Sequence, residues 1–171
     1  MKYKICLVKR NELKDCAKIL RDIYNNNVLS EGWTEKTSLN TCLFFYKQNK
    51  DLFFVAKDEN DKVIGFTYSF IKPWSHGNML MIEEISVAEN YRKHGIAKAL
   101  MLAVVSKAKE KYNISNVCGE AYYDKNADWI PFDWYKRIGF SKNKELFIIE
   151  SEPNEITKSL ERGKEKWKKL H

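Results

Sequence analysis

Residues 83–98 read Glu83-Glu84-Ile85-Ser86-Val87-Ala88-Glu89-Asn90-Tyr91-Arg92-Lys93-His94-Gly95-Ile96-Ala97-Lys98. An apolar run of strand length, Met79 to Val87, ends here, and Ala88 to Tyr91 forms a short polar bridge. From Arg92 or Gly95 to Lys111 the apolar residues Ile96, Ala99, Leu100, Ala103, Val104 and Ala108 recur at helical spacing. The reading is strand, turn, helix. The first N–H groups of a helix have no internal partners and lie at the positive end of its dipole. Gly95 and Ala97 are small enough to let a ligand reach those groups, and Arg92 and Lys93 add full charges. The stretch predicts an anion cradle, suited to a pyrophosphate, at the end of a strand. Neither GxxxxGK[ST] nor GxGxxG is present, which argues against an NTPase and a dinucleotide dehydrogenase.

Working outward, Tyr3 to Val8 reads as a short strand. Asn11 caps a helix carrying Leu13, Cys16, Ala17, Leu20 and Tyr24 at helical spacing, and Asn25-Asn26-Asn27 ends it. A second helix begins at Thr34, with Leu39, Cys42, Leu43 and Tyr46 facing inward. Leu52 to Ala56 and Val63 to Ile71 flank the turn Asp58-Glu59-Asn60-Asp61 and predict a hairpin. Lys72 to Asn78 reads as a loop from its Pro, Gly and Asn. Downstream, Ile114 to Ala121 is a strand, Asp128 to Ile138 a helix interrupted by Pro131, and Glu145 to Glu150 a last strand. Strand, helix and strand in succession imply a right-handed crossover and a parallel pair within a mixed sheet. The class is α/β, or α+β in schemes that separate mixed sheets. Residues 1–152 are expected to form one domain, followed by a charged tail, 153–171, that is helical or frayed.

The 171 residues are 44% apolar, 13% aromatic and 31% charged, which suits one domain with a real core and excludes intrinsic disorder. No apolar stretch approaches the roughly 18 to 20 residues that span a bilayer. Met1 to Arg10 alternates charged and apolar residues, unlike a secretion signal. Cys6, Cys16, Cys42 and Cys118 lie far apart, without a CxxC pair or nearby histidines. They are expected to be buried free thiols, with no disulfide framework and no metal site. A soluble cytoplasmic protein without a membrane partner is the expectation. Thirty basic against 23 acidic residues give a charge of +7, which favours anionic partners such as a phosphorylated cofactor. The bases of the tail (Lys158, Arg162, Lys164, Lys166, Lys168 and Lys169) are interrupted by Glu161 and Glu165, with Trp167 the one aromatic. This reads as a solvated helix, and nucleic acid is not expected as a partner.

Arg92-Lys93-His94-Gly95-Ile96-Ala97 matches the pattern R/Q-x-x-G-x-G/A. Val87 stands five residues before the arginine, Gly65 lies on a strand in Val63-Ile64-Gly65-Phe66, and Trp134-Tyr135-Lys136-Arg137-Ile138-Gly139-Phe140 is similar to F-Y-x-x-x-G-F. In these motifs, and in element order up to about Glu150, the chain resembles the GNAT family of N-acetyltransferases. The resemblance implies a mixed, splayed sheet flanked by helices, with acetyl-CoA as co-substrate. The coenzyme pyrophosphate would lie on the backbone N–H groups of Lys93, His94, Gly95, Ile96, Ala97 and Lys98, beside Arg92. The pantetheine arm would pair with the main chain of Ile85, Ser86 and Val87, where the strand splays from residues 114–121. A main-chain N–H of that strand would stabilise the developing oxyanion. Asn126 is similar to the family's asparagine that contacts the coenzyme arm, although the usual spacing to the tyrosine selects Asp128 instead.

Acetyl transfer to an amine requires that the ammonium lose a proton, that an oxyanion be stabilised and that the leaving thiolate be protonated. Glu83 and Glu84 are the candidate bases, since a charge within an apolar strand is costly without a purpose or a partner. Adjacent strand residues face opposite sides, so only one is expected to look into the acceptor cleft unless a bulge intervenes. Glu83 is the first choice and Glu84 the second, and at least one is expected to pair with a Lys or Arg on a neighbouring strand. Acidic pairs at this place resemble those of polyamine- and amino-sugar-acetylating members. Tyr135 matches the family's tyrosine near the coenzyme sulfur, and a phenol with a reference pKa of about 10 stays protonated as a general acid must. Cys118 reads as a core thiol and His76 as a solvated loop residue.

In this architecture the acceptor surface would draw on Glu31, Trp33, Trp74, His76, Tyr122, Tyr123, Asp124 and Asp128. Trp33, Trp74, Glu83 and Tyr123 are the substrate-binding candidates. Acids among aromatics suit a cationic amine. The expected activity is acetyl transfer to a primary amine of a small cationic molecule (polyamine, aminoglycoside or amino sugar) by direct attack in a ternary complex. The alternatives are a protein or peptide acetyltransferase acting on a lysine or N-terminal amine, and a non-catalytic acyl-CoA-binding module. A homodimer is left open.

Overall fold

The β-rich segments Phe53–Lys57 and Val63–Trp74 form the middle of a five-stranded sheet in the computed structural model, which describes residues 1–26, 31–121, 131–142 and 153. The strands are β1 (Lys4–Leu7), β2 (Phe53–Lys57), β3 (Val63–Trp74), β4 (Gly77–Val87) and β5 (Ile114–Gly119). The helices are α1 (Leu13–Asn25), α2 (Glu35–Asn49), α3 (Ile96–Tyr112) and α4 (Pro131–Arg137). Strand order follows chain order. The first four strands pair antiparallel, while β4 and β5, separated by α3, pair parallel. The expected mixed sheet is present. Two compact units divide the chain, Met1–Glu120 with the sheet and three helices, and Ala121–His171 with α4.

Every residue of β2 is buried, so both faces of the central sheet are covered. On one face Phe53, Val55, Phe66 and Tyr68 pack with Leu13, Cys16, Ala17 and Leu20 of α1 and with Cys42 and Phe45 of α2. Phe45 stacks on Tyr68 with ring centroids 4.3 Å apart and planes 10° from parallel, an arrangement adding about 1 kcal/mol beyond area burial. Phe45 therefore joins Cys42 as the buried core of α2, while Leu39, Leu43 and Tyr46 are only partly buried. α3 packs against β2, β3 and β4. Thr34 caps α2 through a reciprocal pair with Thr37, satisfying backbone donors at the helix start.

Residues 72–78 do not form the expected loop. The β3–β4 ladder continues through Lys72↔Met79, Pro73↔Asn78 and Trp74↔Gly77, turning over Ser75 and His76. Gly77 makes this tight reversal at φ +117°, and Pro73 is tolerated because β2 pairs with β3 no further than Tyr68. β5 stops at Gly119, two residues short of expectation. The described part of α4 runs from Pro131 to Arg137. Cys16 and Cys42 are buried, but Cys6 and Cys118 are only half-buried because they lie on the outer strands β1 and β5. The expected strand 145–150, residues 128–130 of the expected helix, and the tail other than residue 153 lie outside the described residues.

Candidate active site

Opposite Tyr68 and Ser69 of β3 stand Glu84 and Ile82 of β4, so Glu83 is an extra residue, a β-bulge. Beyond it the ladder is regular, and the Ala88 N–H donates to the Ile64 carbonyl at 3.0 Å. That bond sets the phase. Glu84 and Ser86 turn their main-chain groups toward β3, while Ile85 and Val87 turn theirs to the opposite side. On that side β5 pairs with β4 only as far as Ile82↔Gly119. Among the described residues, the outward groups of Ile85 and Val87 have no partner on β5. Gly65 makes the close β3–β4 approach: a Cβ there would stand 2.9 Å from the Ser86 carbonyl oxygen.

The strand end runs through a 3-10 turn, Glu89–Tyr91, into α3. Lys93 (φ +65°) and Gly95 (φ +80°) both take left-handed backbone conformations, curling the chain just before the helix. The first helical bond runs from the Ala99 N–H to the Gly95 carbonyl, and no side chain caps Gly95. The N–H groups of Ile96, Ala97 and Lys98 thus point out of the helix start, a concavity that fits a pyrophosphate. Arg92 does more than add charge. Its Nε donates to the Val87 carbonyl at 3.2 Å, bracing the helix start against the open strand edge. The His94 ring lies back on the chain, its Nδ1 2.8 Å from the Arg92 carbonyl oxygen.

The two glutamates have different surroundings. Glu83 is exposed and has neither a hydrogen bond nor an ion pair among the described residues. Partial desolvation, reinforced by the charge of Glu120 beyond β5, holds its carboxyl above the usual range. The Glu84 carboxylate accepts three bonds, from Tyr24 Oη (2.9 Å), Ser86 Oγ (2.8 Å) and the Ile85 N–H (3.0 Å). Burial pushes its pKa up and the charge of Glu83 adds to that, while the three donors oppose it. Among the described residues neither glutamate pairs with a Lys or Arg. Hydroxyls and an amide satisfy Glu84 because its side chain is on the α1–α2 face, where Tyr24, Cys42 and Tyr68 surround it.

Trp33 is brought to this corner. Its backbone N–H and C=O are bracketed by the Asn25 side chain, each at 2.7 Å, and its ring lies 6.2 Å from that of Tyr24. Its indole N–H donates to Glu31 at 2.8 Å. A run of acid, indole, phenol and acid (Glu31, Trp33, Tyr24, Glu84) therefore leads to Glu83. Tyr24, read from sequence only as a core residue of its helix, is the member the motifs missed. Its helical spacing gave no hint of a hydroxyl reaching a carboxylate sixty residues away. Trp74 is not brought there. The long hairpin carries it and His76 to the far end, about 20 Å along the strand from Glu83 at the usual rise, with Lys72 Nζ 4.8 Å over the indole.

Tyr135 lies on α4 in the second unit, half-buried, with its ring edge-to-face against Trp134 (4.9 Å) and Phe140 (5.4 Å). Its carbonyl accepts from the N–H groups of Ile138 and Phe140, closing the helix at Gly139 (φ +104°). Asn126, Tyr122, Tyr123, Asp124 and Asp128 lie outside the described residues. Among the described residues no group of three or more His, Cys, Asp or Glu side chains is placed to hold a metal ion, and no helix is long and apolar enough to cross a membrane.

Comparison with known proteins agrees with this geometry. The family model of the acetyltransferase (GNAT) family matches residues 13–140, about three quarters of the chain. No curated protein matches by sequence. Among solved structures, an aminoglycoside N-acetyltransferase, AAC(6')-Iy, in complex with CoA is similar at TM-score 0.69 and 16% identity, over 88% of this chain and 95% of that one. A ribosomal-protein-alanine N-acetyltransferase from Brucella melitensis is similar at TM-score 0.68 and 16% identity, over 88% and 100% of the two chains. An integron cassette protein from Vibrio cholerae gives TM-score 0.69 and 20% identity, over 94% and 98%. These likenesses show the shared fold, and the family match adds the chemistry: the chain belongs to the GNAT family and is an acetyl-CoA-dependent N-acetyltransferase.

Proposed function

We propose that the protein acetylates a primary amine of a small cationic molecule, of polyamine, aminoglycoside or amino-sugar type, by direct attack in a ternary complex. The observation that carries this reading is the acidic and aromatic corner at the β4 bulge, where Glu83, with no partner among the described residues, stands beside the Glu84–Tyr24–Trp33–Glu31 run. Such a surface attracts an ammonium group through charge and through aromatic faces. Bound acetyl-CoA supplies an acetyl group activated as a thioester. The N–H groups of Ile96, Ala97 and Lys98, with Lys93, His94, Gly95 and Arg92 around them, hold the phosphates. Ile85 and Val87 present main-chain groups to the arm along the open edge, and Ser86 fixes Glu84 there. Glu83 takes the proton of the ammonium, and Tyr135 returns a proton to the departing sulfur. Trp33 lines the acceptor side.

The proposal takes residues 1–152 as one catalytic domain, a reading supported by a family match that spans both compact units. The four free thiols suit a reducing compartment, the cytoplasm. A screen of amines and peptides with acetyl-CoA, reading thiol release, tests the substrate class. Turnover is expected with polyamines or amino sugars, and absent in Gly95→Glu, whose carboxylate intrudes on the phosphate cradle. Release with peptides alone would replace this reading with a protein acetyltransferase. No release with any acceptor, while coenzyme binds tightly, would leave an acyl-CoA-binding module.

A further inference from the structure

The Ile85 N–H is the outward-facing donor nearest the bulge, and the Glu84 carboxylate Oε1 accepts from it at 3.0 Å. The same oxygen accepts from Ser86 Oγ at 2.8 Å, and Oε2 accepts from Tyr24 Oη at 2.9 Å. An anionic oxygen thus rests on the donor that an acetyl carbonyl at this strand edge needs. We propose that Glu84 is a positioning residue that occupies the Ile85 N–H in the free enzyme and yields it to the acetyl carbonyl, so that the cleft distinguishes acetyl-CoA from CoA. The inference rests on the coenzyme site described above.

Exchange has a chemical consequence. Glu84 keeps its bonds from Tyr24 and Ser86 but loses one of three donors to its ionised form, in a buried place beside Glu83. Losing a donor to the charged form favours protonation. Two other titratable groups facing it are held in their uncharged forms: Cys42 from α2 is pushed up to about 12 by burial, and Tyr68 from β3 is raised by burial; Tyr24 from α1 donates its hydroxyl to the carboxylate. Proton uptake on binding therefore reports Glu84, with Glu83 as the one other carboxylate on the strand nearby. CoA has the same phosphates and arm but no acetyl carbonyl, so it leaves Glu84 on the Ile85 N–H.

Calorimetric titration of the full chain in buffers of different ionisation enthalpy gives the protons taken up per ligand. The expected result between pH 5.5 and 7.5 is uptake with acetyl-CoA exceeding that with CoA, and loss of the difference in Glu84→Gln while Glu83→Gln retains it. A wild-type measurement removes dependence on the variants: the Ile85 amide resonance should follow the titration of Glu84 in free and CoA-bound protein, and stop following it with acetyl-CoA. Equal uptake with the two ligands, or an Ile85 amide indifferent to the acetyl group, overturns this inference alone. Failure of both ligands to bind overturns it together with the coenzyme site.

Discussion

Glu83 and Glu84 are neighbours with the same side chain, and only their surroundings separate their chemistry. Glu84 is ringed by three donors, while Glu83 stands on the bulge with no partner among the described residues. A base works only when ionised, and desolvation holds Glu83 above the ordinary carboxylate value of about 4.3. Activity should therefore fall as pH drops through a point above that value. Glu83→Gln is expected to lower kcat about 10²-fold or more and to erase this acidic limb, as a pH profile of kcat/KM will show. Stability has the opposite sign. A raised folded-state pKa means the native protein holds the proton more tightly, so stability declines as pH rises from the unfolded value through the folded one. Thermal melting of Glu83→Gln at pH 7.5 should accordingly be unchanged or higher. A parallel loss of melting temperature and activity would mean the residue is structural.

At the scale of elements, the site exists because β4 has a different partner at each end. Up to Ile82 it is paired on both sides, and beyond the bulge it keeps β3 but leaves β5. The close seam with β3 carries the strain of this arrangement. A Cβ at Gly65 would meet the Ser86 carbonyl oxygen at 2.9 Å, Val87 Cγ2 at 3.3 Å and Ile96 Cγ2 at 3.4 Å, touching the strand edge and the start of α3 together. Gly65→Ala should cost about 1–3 kcal/mol, the range for overpacking a tight interior, measurable by urea unfolding. Because the clash bears on Ile96, acetyl-CoA affinity should drop as well. Unaltered affinity in a destabilised Gly65→Ala protein would separate the seam from the phosphate cradle.

Across the larger unit, a buried cation ties the sheet to the helical layer. Lys57, at the end of β2 and 2% exposed, bonds Glu12 just before α1 and stands 3.5 Å from Asp61 in the β2–β3 turn. Glu12 in turn accepts from the Lys9 N–H at 2.7 Å, fixing the chain as it leaves β1. Glu12→Ala should cost about 2 kcal/mol in global unfolding, less than the ~3–5 kcal/mol of an orphaned buried charge because Asp61 remains. The hydrogen bond to Glu12 raises the Lys57 pKa. Its stabilisation is complete below the unfolded lysine value, about 10.4, and is lost as pH rises through the folded one. Chemical unfolding from pH 8 to 11 should show that alkaline loss in the parent and a smaller one in the variant.

Local periodicity, capping and backbone freedom were enough to read the order of elements from β1 to α4, the parallel pair around α3 and a helix start at Gly95. Gly65 was legible only as a glycine on a strand; its close approach to Ser86 was not. Hidden from the sequence were the Glu83 bulge, the Tyr24 hydroxyl on Glu84 and the distance of Trp74 from the site. Register is settled by the partner strand, and a one-residue shift redirects every side chain beyond it. A contact between α1 and β4 leaves no periodic trace in either segment, so tertiary packing alone decided which glutamate is held and which is free.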